Sequence, residues 1–182
     1  MILIVDLCYK RNSLSRHEFV NPIARIASKE HDIEIVHRSM LSKPLIDGSE
    51  KVILCGTAMK DNGYLENIRD LDIVKSSGVP TMGICAGMQA LSMLYGGGVY
   101  PWRSIGLKDI EIIHDGPLLG RKRDIQGYHL HNYGISVPSD FIPLSVEDEH
   151  VTAFSSRDYK VFGILFHPEV RNGWIVERFL EL

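Results

Sequence analysis

The sequence has few cysteines, and their spacing fits neither a disulfide framework nor a metal site. Cys8, Cys55 and Cys85 are odd in number and lie far apart. A reducing compartment suits such a chain better than an oxidising one. We therefore expect a cytoplasmic protein in which one thiol is available as a nucleophile. No metal ion and no other cofactor is expected.

Long apolar runs and an excess of charge of one sign are also absent. The apolar start of the chain is far too short for a signal peptide and has no basic residues before it. No later run approaches the ~20 residues that span a bilayer. Lysine and arginine number 20 against 23 acidic residues, which gives a net charge of −3. The basic surface of a nucleic-acid binder is therefore not expected, and neither is a membrane partner.

The length and composition are those of one ordinary globular domain. Of the 182 residues, 45% are hydrophobic and 24% are charged, which is typical of globular proteins. The length fits one domain, and the sequence shows neither an internal repeat nor a low-complexity linker. We therefore expect a single domain over residues 1–182.

The first half of the chain alternates short apolar runs with segments of helical periodicity. The runs predict strands at residues 2–6, 32–36, 51–55 and 80–84. The periodic segments predict helices at residues 13–29, 64–77 and 88–95, with Gly78 at the end of the second. Strands separated by helices pair in parallel through right-handed crossovers. The pattern therefore predicts an α/β fold with a mostly parallel central sheet and helices on both faces.

The pattern changes after the three glycines at residues 96–98. Short β-like runs then follow one another with little helical periodicity, and they include residues 110–113, 128–136 and 161–166. We expect these runs to form antiparallel additions and edge strands on the same domain. Residues 172–182 are predicted to close the chain as a helix.

The strongest local pattern is Gly83-Ile84-Cys85-Ala86-Gly87, between a predicted strand and a predicted helix. It is a G-x-C-x-G version of the nucleophile elbow, a sharp turn that presents a nucleophile at the edge of the sheet. The start of the helix stabilises a Cys85 thiolate, and the N–H of Ala86 can face a developing oxyanion. The alternative is a buried structural cysteine between two turn glycines.

A second pattern, Phe166-His167-Pro168-Glu169, ends another predicted strand. A cysteine needs a base to become a thiolate, and the base needs a carboxylate to fix its orientation. His167 and Glu169 are two residues apart, so both can face the same side of an extended segment. A surface turn is the alternative for so short a string. The two patterns together favour a catalytic set.

Residues 83–89 (GICAGMQ) and 166–169 (FHPE) resemble the class I, or triad, glutamine amidotransferases. The chain order of cysteine, histidine and glutamate also matches that family. The resemblance implies a flavodoxin-like fold and the hydrolysis of glutamine to glutamate and ammonia through a γ-glutamyl thioester. By position it makes Cys85 the nucleophile, His167 the general base and then acid, and Glu169 the residue that orients the histidine.

The resemblance also suggests residues that bind glutamine. Gln89 matches the family's glutamine after the elbow, although an ordinary helix residue is the alternative. Residues 127–133 (GYHLHNY) resemble the segment that holds the α-amino and carboxylate groups of the substrate, and His131 and Asn132 are the expected contacts. Structural hydrogen bonding is the default role for the histidines in general.

The sequence departs from the family in the turn after the third strand. Many members have a glycine-rich turn there, whose N–H completes the oxyanion hole. The corresponding residues 55–59 (CGTAM) contain one glycine, Gly56, which we expect at the substrate. Thr57 would supply the N–H, and a β-branched residue adopts positive φ only at a cost. We therefore expect a hole that is incomplete or differently shaped in the free protein.

The resemblance implies a synthase partner that receives the ammonia. We expect a separate small glutaminase subunit, because no synthase segment follows Leu182. A guanosine monophosphate synthase is one candidate, and the histidine, tryptophan and aminodeoxychorismate pathways are others. Two further functions stay open: a γ-glutamyl amide or peptide hydrolase without an ammonia acceptor, and a glutamine-sensing regulatory module of low activity.

Overall fold

A single nine-stranded sheet organises the computed structural model, which describes residues 1–182. The strands, in chain order, are β1 (Ile2–Asp6), β2 (Ile33–His37), β3 (Lys51–Leu54), β4 (Thr81–Ile84), β5 (Gly98–Ile112), β6 (Arg123–Ser136), β7 (Phe141–Glu147), β8 (His150–Ser156) and β9 (Val161–Ile164). Their order across the sheet is β2-β1-β3-β4-β9-β8-β7-β5-β6. Neighbours from β2 to β9 are parallel, and neighbours from β9 to β6 are antiparallel.

Eight short α-helices flank the sheet. They are α1 (Ser15–Phe19), α2 (Asn21–Ala27), α3 (Lys43–Asp47), α4 (Gly63–Glu66), α5 (Asp72–Ser77), α6 (Ala86–Leu94), α7 (Pro168–Arg171) and α8 (Trp174–Glu181). Two 3₁₀-helices cover Arg38–Met40 and Ile68–Leu71. None of the helices combines the length and the apolar character that a membrane crossing needs.

The parallel strands are apolar throughout because both of their faces are buried. In β1, Ile2 and Ile4 belong to the core on one face, whereas Leu3 and Val5 belong to the core on the other. The first core includes side chains of α2 and α8, and the second includes side chains of α3, α5 and α6. Successive side chains of a strand point to opposite faces. The predicted α/β fold with helices on both faces is therefore confirmed.

Two of the predicted long helices are broken into shorter ones. The predicted helix 13–29 divides into α1 and α2, with Pro22 in the first turn of α2. Proline has no N–H, and its ring clashes with the carbonyl four residues back, so it starts a helix rather than continuing one. The predicted helix 64–77 breaks at Asn67, whose side chain donates to the carbonyl of Gly63. Gly78 ends α5 at a φ of 69°, as predicted.

The second half contains the predicted antiparallel additions, but two of the strands are much longer than expected. Strands β5 and β6 have 15 and 14 residues and pair with each other as a long hairpin. Their solvent-facing positions are mostly polar or charged, with Ile105 and Leu107 of β5 as exceptions, so no continuous apolar run indicates their length. The predicted closing helix is α8, and the short helix α7 precedes it.

The parallel part of the sheet gathers the predicted site residues at one edge. Strands β3, β4 and β9 are neighbours and run in the same direction, so their carboxyl ends meet. Gly56 and Thr57 follow β3, Cys85 follows β4 and His167 follows β9. The carboxyl edge of an open α/β sheet is also where such folds bind ligands.

Replacing Gly87 with alanine should destabilise the protein markedly. A Cβ at Gly87 would lie 2.2 Å from the carbonyl oxygen of Leu54, and overpacking of this kind costs about 1–3 kcal/mol or more. Gly98→Ala is a matched control, because its Cβ would meet nothing nearer than the Ser136 hydroxyl at 4.0 Å. Urea unfolding measures both variants. Equal, small changes in the free energy of unfolding would contradict the expectation.

Candidate active site

Cys85 lies in a strained turn that only glycine neighbours allow. Its φ of 51° and ψ of −105° are unusual for a residue with a side chain, and such conformations cost of order 1–3 kcal/mol. A Cβ at Gly83 would lie 2.4 Å from the Gly87 carbonyl group, so the start of α6 approaches β4 very closely. The N–H of Cys85 donates to the carbonyl of Ile164 at 2.7 Å, which connects the turn to β9. The geometry is that of the predicted nucleophile elbow.

His167 and Glu169 form a buried hydrogen-bonded pair. His167 Nδ1 lies 2.8 Å from Glu169 Oε1, and only 2% and 3% of the two side chains are exposed. The backbone of His167 is extended, and its N–H donates to the carbonyl of Tyr128 at 2.8 Å. Because Nδ1 carries the proton given to the carboxylate, Nε2 is left to act on the cysteine.

The imidazole of His167 meets Cys85 across Gly56. A Cβ at Gly56 would lie 3.0 Å from His167 Cε1 and 3.5 Å from Cys85 Cβ. Burial lowers the pKa of His167. The neighbouring Cys85 and the hydrogen-bonded Glu169 carboxylate outweigh burial and raise this pKa well above the ordinary value. The arrangement therefore favours a charged imidazolium at His167, and its Nε2 has no hydrogen-bond partner within the protein.

The other two cysteines lack this environment. Burial, with hydrogen bonding and charge from Asp6, raises the pKa of Cys8 to about 12. Complete burial raises the pKa of Cys55 well above its ordinary value. A thiolate is the reactive form of cysteine, so neither thiol is suited to be a nucleophile near neutral pH.

The backbone groups predicted to bind an oxyanion have no protein partner. None of the turn, loop and cap hydrogen bonds uses the N–H of Thr57 or of Ala86. Both residues line one pocket with Cys85. Neither Gly56 nor Thr57 has a positive φ, so the expected conformational cost of a β-branched residue in this turn does not arise.

Gln89 lies in the wall of the same pocket, with both ends of its side-chain amide engaged. Its Nε2 donates to the carbonyl of Tyr133 at 2.9 Å, and its Oε1 accepts a short hydrogen bond from the Tyr64 hydroxyl. The sequence did not single out Tyr64, which starts the second predicted helix. In the sequence, only its hydroxyl group at the start of a predicted helix after the Thr57 turn could have indicated a role in the site.

His131 and Asn132 are also bonded within the protein. His131 Nδ1 lies 3.3 Å from the carbonyl of Trp102, and its Nε2 lies 2.8 Å from His129 Nδ1. Asn132 Nδ2 donates to the carbonyl of Met59 at 2.9 Å. Both ring nitrogens of His131 are therefore engaged, whereas Asn132 keeps its Oδ1 and one N–H available.

The pocket in front of Cys85 is nearly closed. Its walls come from residues 57–64, from the start of α6 and from residues 130–133 of β6. The cavity has a volume of about 10 Å³, which is the room of about one water molecule. Glutamine is far larger, so the walls must move before it can enter. No group of three or more histidine, cysteine or acidic side chains is arranged to hold a metal ion.

A family model described as glutamine amidotransferase class-I matches residues 19–181. The chain belongs to the class I glutamine amidotransferases. It is 37% identical over 106 residues to one subunit of the glutamine-hydrolyzing GMP synthase of Sulfolobus acidocaldarius, a match that covers 56% of each chain. It is 36% identical over 115 residues to the glutamine-hydrolyzing GMP synthase of Thermus thermophilus, across 59% of this chain and 23% of that protein. These matches span about half and about a quarter of the two relatives.

Solved structures share the fold of this class I glutamine amidotransferase at low sequence identity. A crystal structure of a candidate GMP synthase subunit from Thermoplasma acidophilum aligns with a TM-score of 0.85 and 21% identity, over 99% of this chain and 92% of the other. A glutamine amidotransferase from Thermotoga maritima aligns with a TM-score of 0.72 and 18% identity, over 99% and 80%. The likeness extends through the antiparallel half of the sheet.

The two buried histidines beside the pocket should make the protein sensitive to acid. Burial and the neighbouring His131 lower the pKa of His129 to about 3, and burial lowers that of His131 to about 4. Both values lie below the ordinary 6.5, so the unfolded chain binds these protons more readily. The free energy of unfolding should therefore fall as the pH falls below 6.5, by up to ~1.4 kcal/mol per pH unit for each histidine, until about pH 4 for His131 and about pH 3 for His129.

Urea unfolding between about pH 4.5 and 7 measures this dependence. His129→Gln should make it shallower, because one of the two groups no longer titrates. His17→Gln replaces a histidine outside the buried core and is the matched control, which should keep the wild-type dependence. Equal slopes in all three proteins would show that His129 does not contribute.

Proposed function

We propose that this chain hydrolyses the side-chain amide of glutamine to glutamate and ammonia, with Cys85, His167 and Glu169 as the catalytic residues. The observation that carries the proposal is the buried His167–Glu169 pair at 2.8 Å, with its imidazole facing a cysteine in a strained elbow. A nucleophile, a base and an orienting carboxylate are the parts that covalent acyl transfer needs. The family membership supports the same reaction.

The geometry supports a two-step mechanism. The Cys85 thiolate attacks the amide carbon of glutamine, and the carbonyl oxygen becomes an oxyanion. His167 then gives its proton to the departing nitrogen, so ammonia leaves and a γ-glutamyl thioester remains. Water attacks the thioester with His167 as the base, and glutamate leaves as the thiolate is restored. Glu169 holds the ring in place and stabilises its charged form in both steps.

The N–H groups of Thr57 and Ala86 are proposed to bind the oxyanion. Both are free of protein acceptors, and both line the pocket with Cys85. Preorganised backbone donors of this kind stabilise charge where it develops, and losing one costs roughly a hundred- to a thousandfold in rate. Gly56 is proposed to contact the substrate through the same turn, and its lack of a side chain lets the His167 imidazole lie against that turn.

Gln89, His131 and Asn132 are proposed to contact the rest of the glutamine molecule after the pocket opens. Asn132 is the most direct candidate, since the single bond from its amide to the carbonyl of Met59 joins two walls of the pocket. Release of that bond would free an Nδ2 donor for the α-carboxylate, and Asn132 Oδ1, which has no protein donor, can accept from the α-amino group. Gln89 has a spare acceptor position on Oε1.

We propose that residues 1–182 act as one glutaminase domain and pass ammonia to a synthase partner. The names of the Sulfolobus and Thermus relatives, which are GMP synthases described as glutamine-hydrolyzing, support a partner that makes GMP. The nearly closed pocket supports dependence on that partner, because a free chain whose pocket admits no substrate would not waste glutamine. A γ-glutamyl peptide hydrolase would need still more room for its leaving group.

Cys85 should be the one cysteine that reacts with a glutamine-like diazoketone such as diazo-oxo-norleucine. A thiolate formed at Cys85 has the imidazolium of His167 beside it, whereas burial raises the pKa of Cys8 and of Cys55. Mass spectrometry of the labelled peptides should place the adduct on Cys85. His167→Ala should slow labelling about tenfold or more, because the imidazolium that stabilises the thiolate is gone.

Cys8→Ser is the matched control, and it should label as the wild type does. An adduct on Cys8 or Cys55 in the native protein would contradict the assignment of the nucleophile. Unchanged labelling in His167→Ala would mean that another group stabilises the thiolate.

Glutamine hydrolysis should be slow for the purified chain and faster with the cognate synthase and its substrates. The physical reason is the closed pocket, which a partner can open by binding the open conformation preferentially. Ammonia release, measured with and without the partner, is expected to rise about tenfold or more. Asn132→Ala removes the bond to Met59, so without the partner it should speed the labelling of Cys85 by the diazoketone.

Full activity of the chain alone, unchanged by the partner, would contradict the proposal that the partner opens the pocket. It would not affect the assignment of the catalytic residues. Activity towards γ-glutamyl peptides without any synthase would favour the hydrolase alternative. No turnover under any condition, with glutamine binding retained, would favour a regulatory module.

A further inference from the structure

We propose that Asp61 is a positioning residue that holds the Thr57 N–H in place for the oxyanion. This inference rests on the proposed glutaminase function. Asp61 does not touch the reacting atoms, and it acts through the side chain and the backbone of Thr57. No sequence pattern indicated this role, since Asp61-Asn62-Gly63 has the composition of an ordinary turn.

Asp61 is buried and accepts three hydrogen bonds from three segments of the chain. Its Oδ2 accepts from the Thr57 hydroxyl at 2.7 Å and from the Tyr9 N–H at 2.5 Å. Its Oδ1 accepts from the Gly63 N–H at 3.3 Å. Only 9% of the residue is exposed, so water does not substitute easily for these donors. The carboxylate therefore joins the loop after β1, the turn after β3 and the start of α4.

The turn itself is closed by a backbone bond from the Asp61 N–H to the carbonyl of Ala58 at 2.8 Å. Residues 57–61 thus form one compact turn. It is closed by this backbone bond and by the hydrogen bond from the Thr57 hydroxyl to the Asp61 carboxylate. Thr57 has no backbone N–H bond of its own, so its hydroxyl is the group that fixes the orientation of this peptide unit. Hydrogen bonds to a carboxylate are stronger than neutral ones.

This arrangement gives a physical role to Thr57, the residue at which the sequence departs from the glycine-rich turn of the family. A hydroxyl bonded to a buried carboxylate can hold a turn of ordinary φ in one conformation. A misplacement of about 1 Å in a catalytic group can cost roughly a hundredfold in rate. Loss of the Asp61–Thr57 bond should therefore lower kcat much more than it raises KM.

The test compares Asp61→Asn and Thr57→Val with the wild type in the presence of the synthase partner. Both variants should lower kcat for glutamine roughly tenfold to a hundredfold and change KM less than about threefold. The rate of Cys85 labelling should stay within about threefold of wild type, because the thiolate and His167 are untouched. Thr57→Ser keeps a hydroxyl and should retain more of kcat than Thr57→Val.

Two further comparisons separate positioning from mere stability. Asp140→Asn, which changes an exposed aspartate directly before β7, is the matched control and should keep kcat. The double variant Asp61→Asn/Thr57→Val should be no slower than the worse single one, because both remove the same bond. If Asp61→Asn does not fold, Thr57→Val and Thr57→Ser still decide the matter.

Two outcomes would overturn the proposal. If Asp61→Asn and Thr57→Val lower only the urea midpoint and leave kcat unchanged, Asp61 is a structural residue alone. If both kcat and Cys85 labelling fall together, the variants disturb the whole site instead of the oxyanion donor. Absence of glutamine hydrolysis by the wild type with its partner would contradict the proposed function instead, which is a separate result.

Discussion

The close packing of α6 against β3 and β4 fixes the turn at Cys85, around which the rest of the site is arranged. The Gly87 backbone lies against the carbonyl of Leu54 with no room for a Cβ. That contact forces the chain to turn sharply at Cys85, and the turn places Cys85 and the imidazole of His167 on either side of Gly56. Stability and reactivity therefore depend on the same contact, because loosening it would let the strained φ of Cys85 relax.

The carboxyl ends of three parallel strands supply the reactive groups, and the antiparallel half of the sheet supplies the opposite wall. Strand β6 brings Leu130 and Asn132 over the pocket, and the carbonyl of Leu130 lies 3.8 Å from Cys85 Sγ. The long β5–β6 hairpin is thus part of the site. Its buried histidines are held neutral by burial, so they add no positive charge that would compete with His167 for the thiolate.

The sequence was sufficient to predict the parallel strands, the elbow and the His167–Glu169 pair, because each depends on residues close together in the chain. It did not predict the length of β5 and β6, whose exposed faces give no apolar run. It also did not predict Tyr64 or Asp61, because their roles depend on partners such as Gln89 and Tyr9, which are 25 and 52 positions away. Contacts of that kind depend on the tertiary fold and leave no local pattern in the sequence.

The small pocket would set an upper limit on the activation that the proposed partner achieves by opening it. A movement of residues 130–133 away from the other two walls would break the Asn132–Met59 bond and the Gln89–Tyr133 bond, and each such bond contributes about 1 kcal/mol net. If opening costs a total of about 2 kcal/mol, roughly 3% of the molecules are open without the partner. A partner that opens every molecule can therefore raise the rate only about thirtyfold. A larger activation would require the partner to improve the catalytic geometry as well. The Thr57 turn is the element of the site where a partner can improve the catalytic geometry, because a single carboxylate, that of Asp61, holds the turn in place.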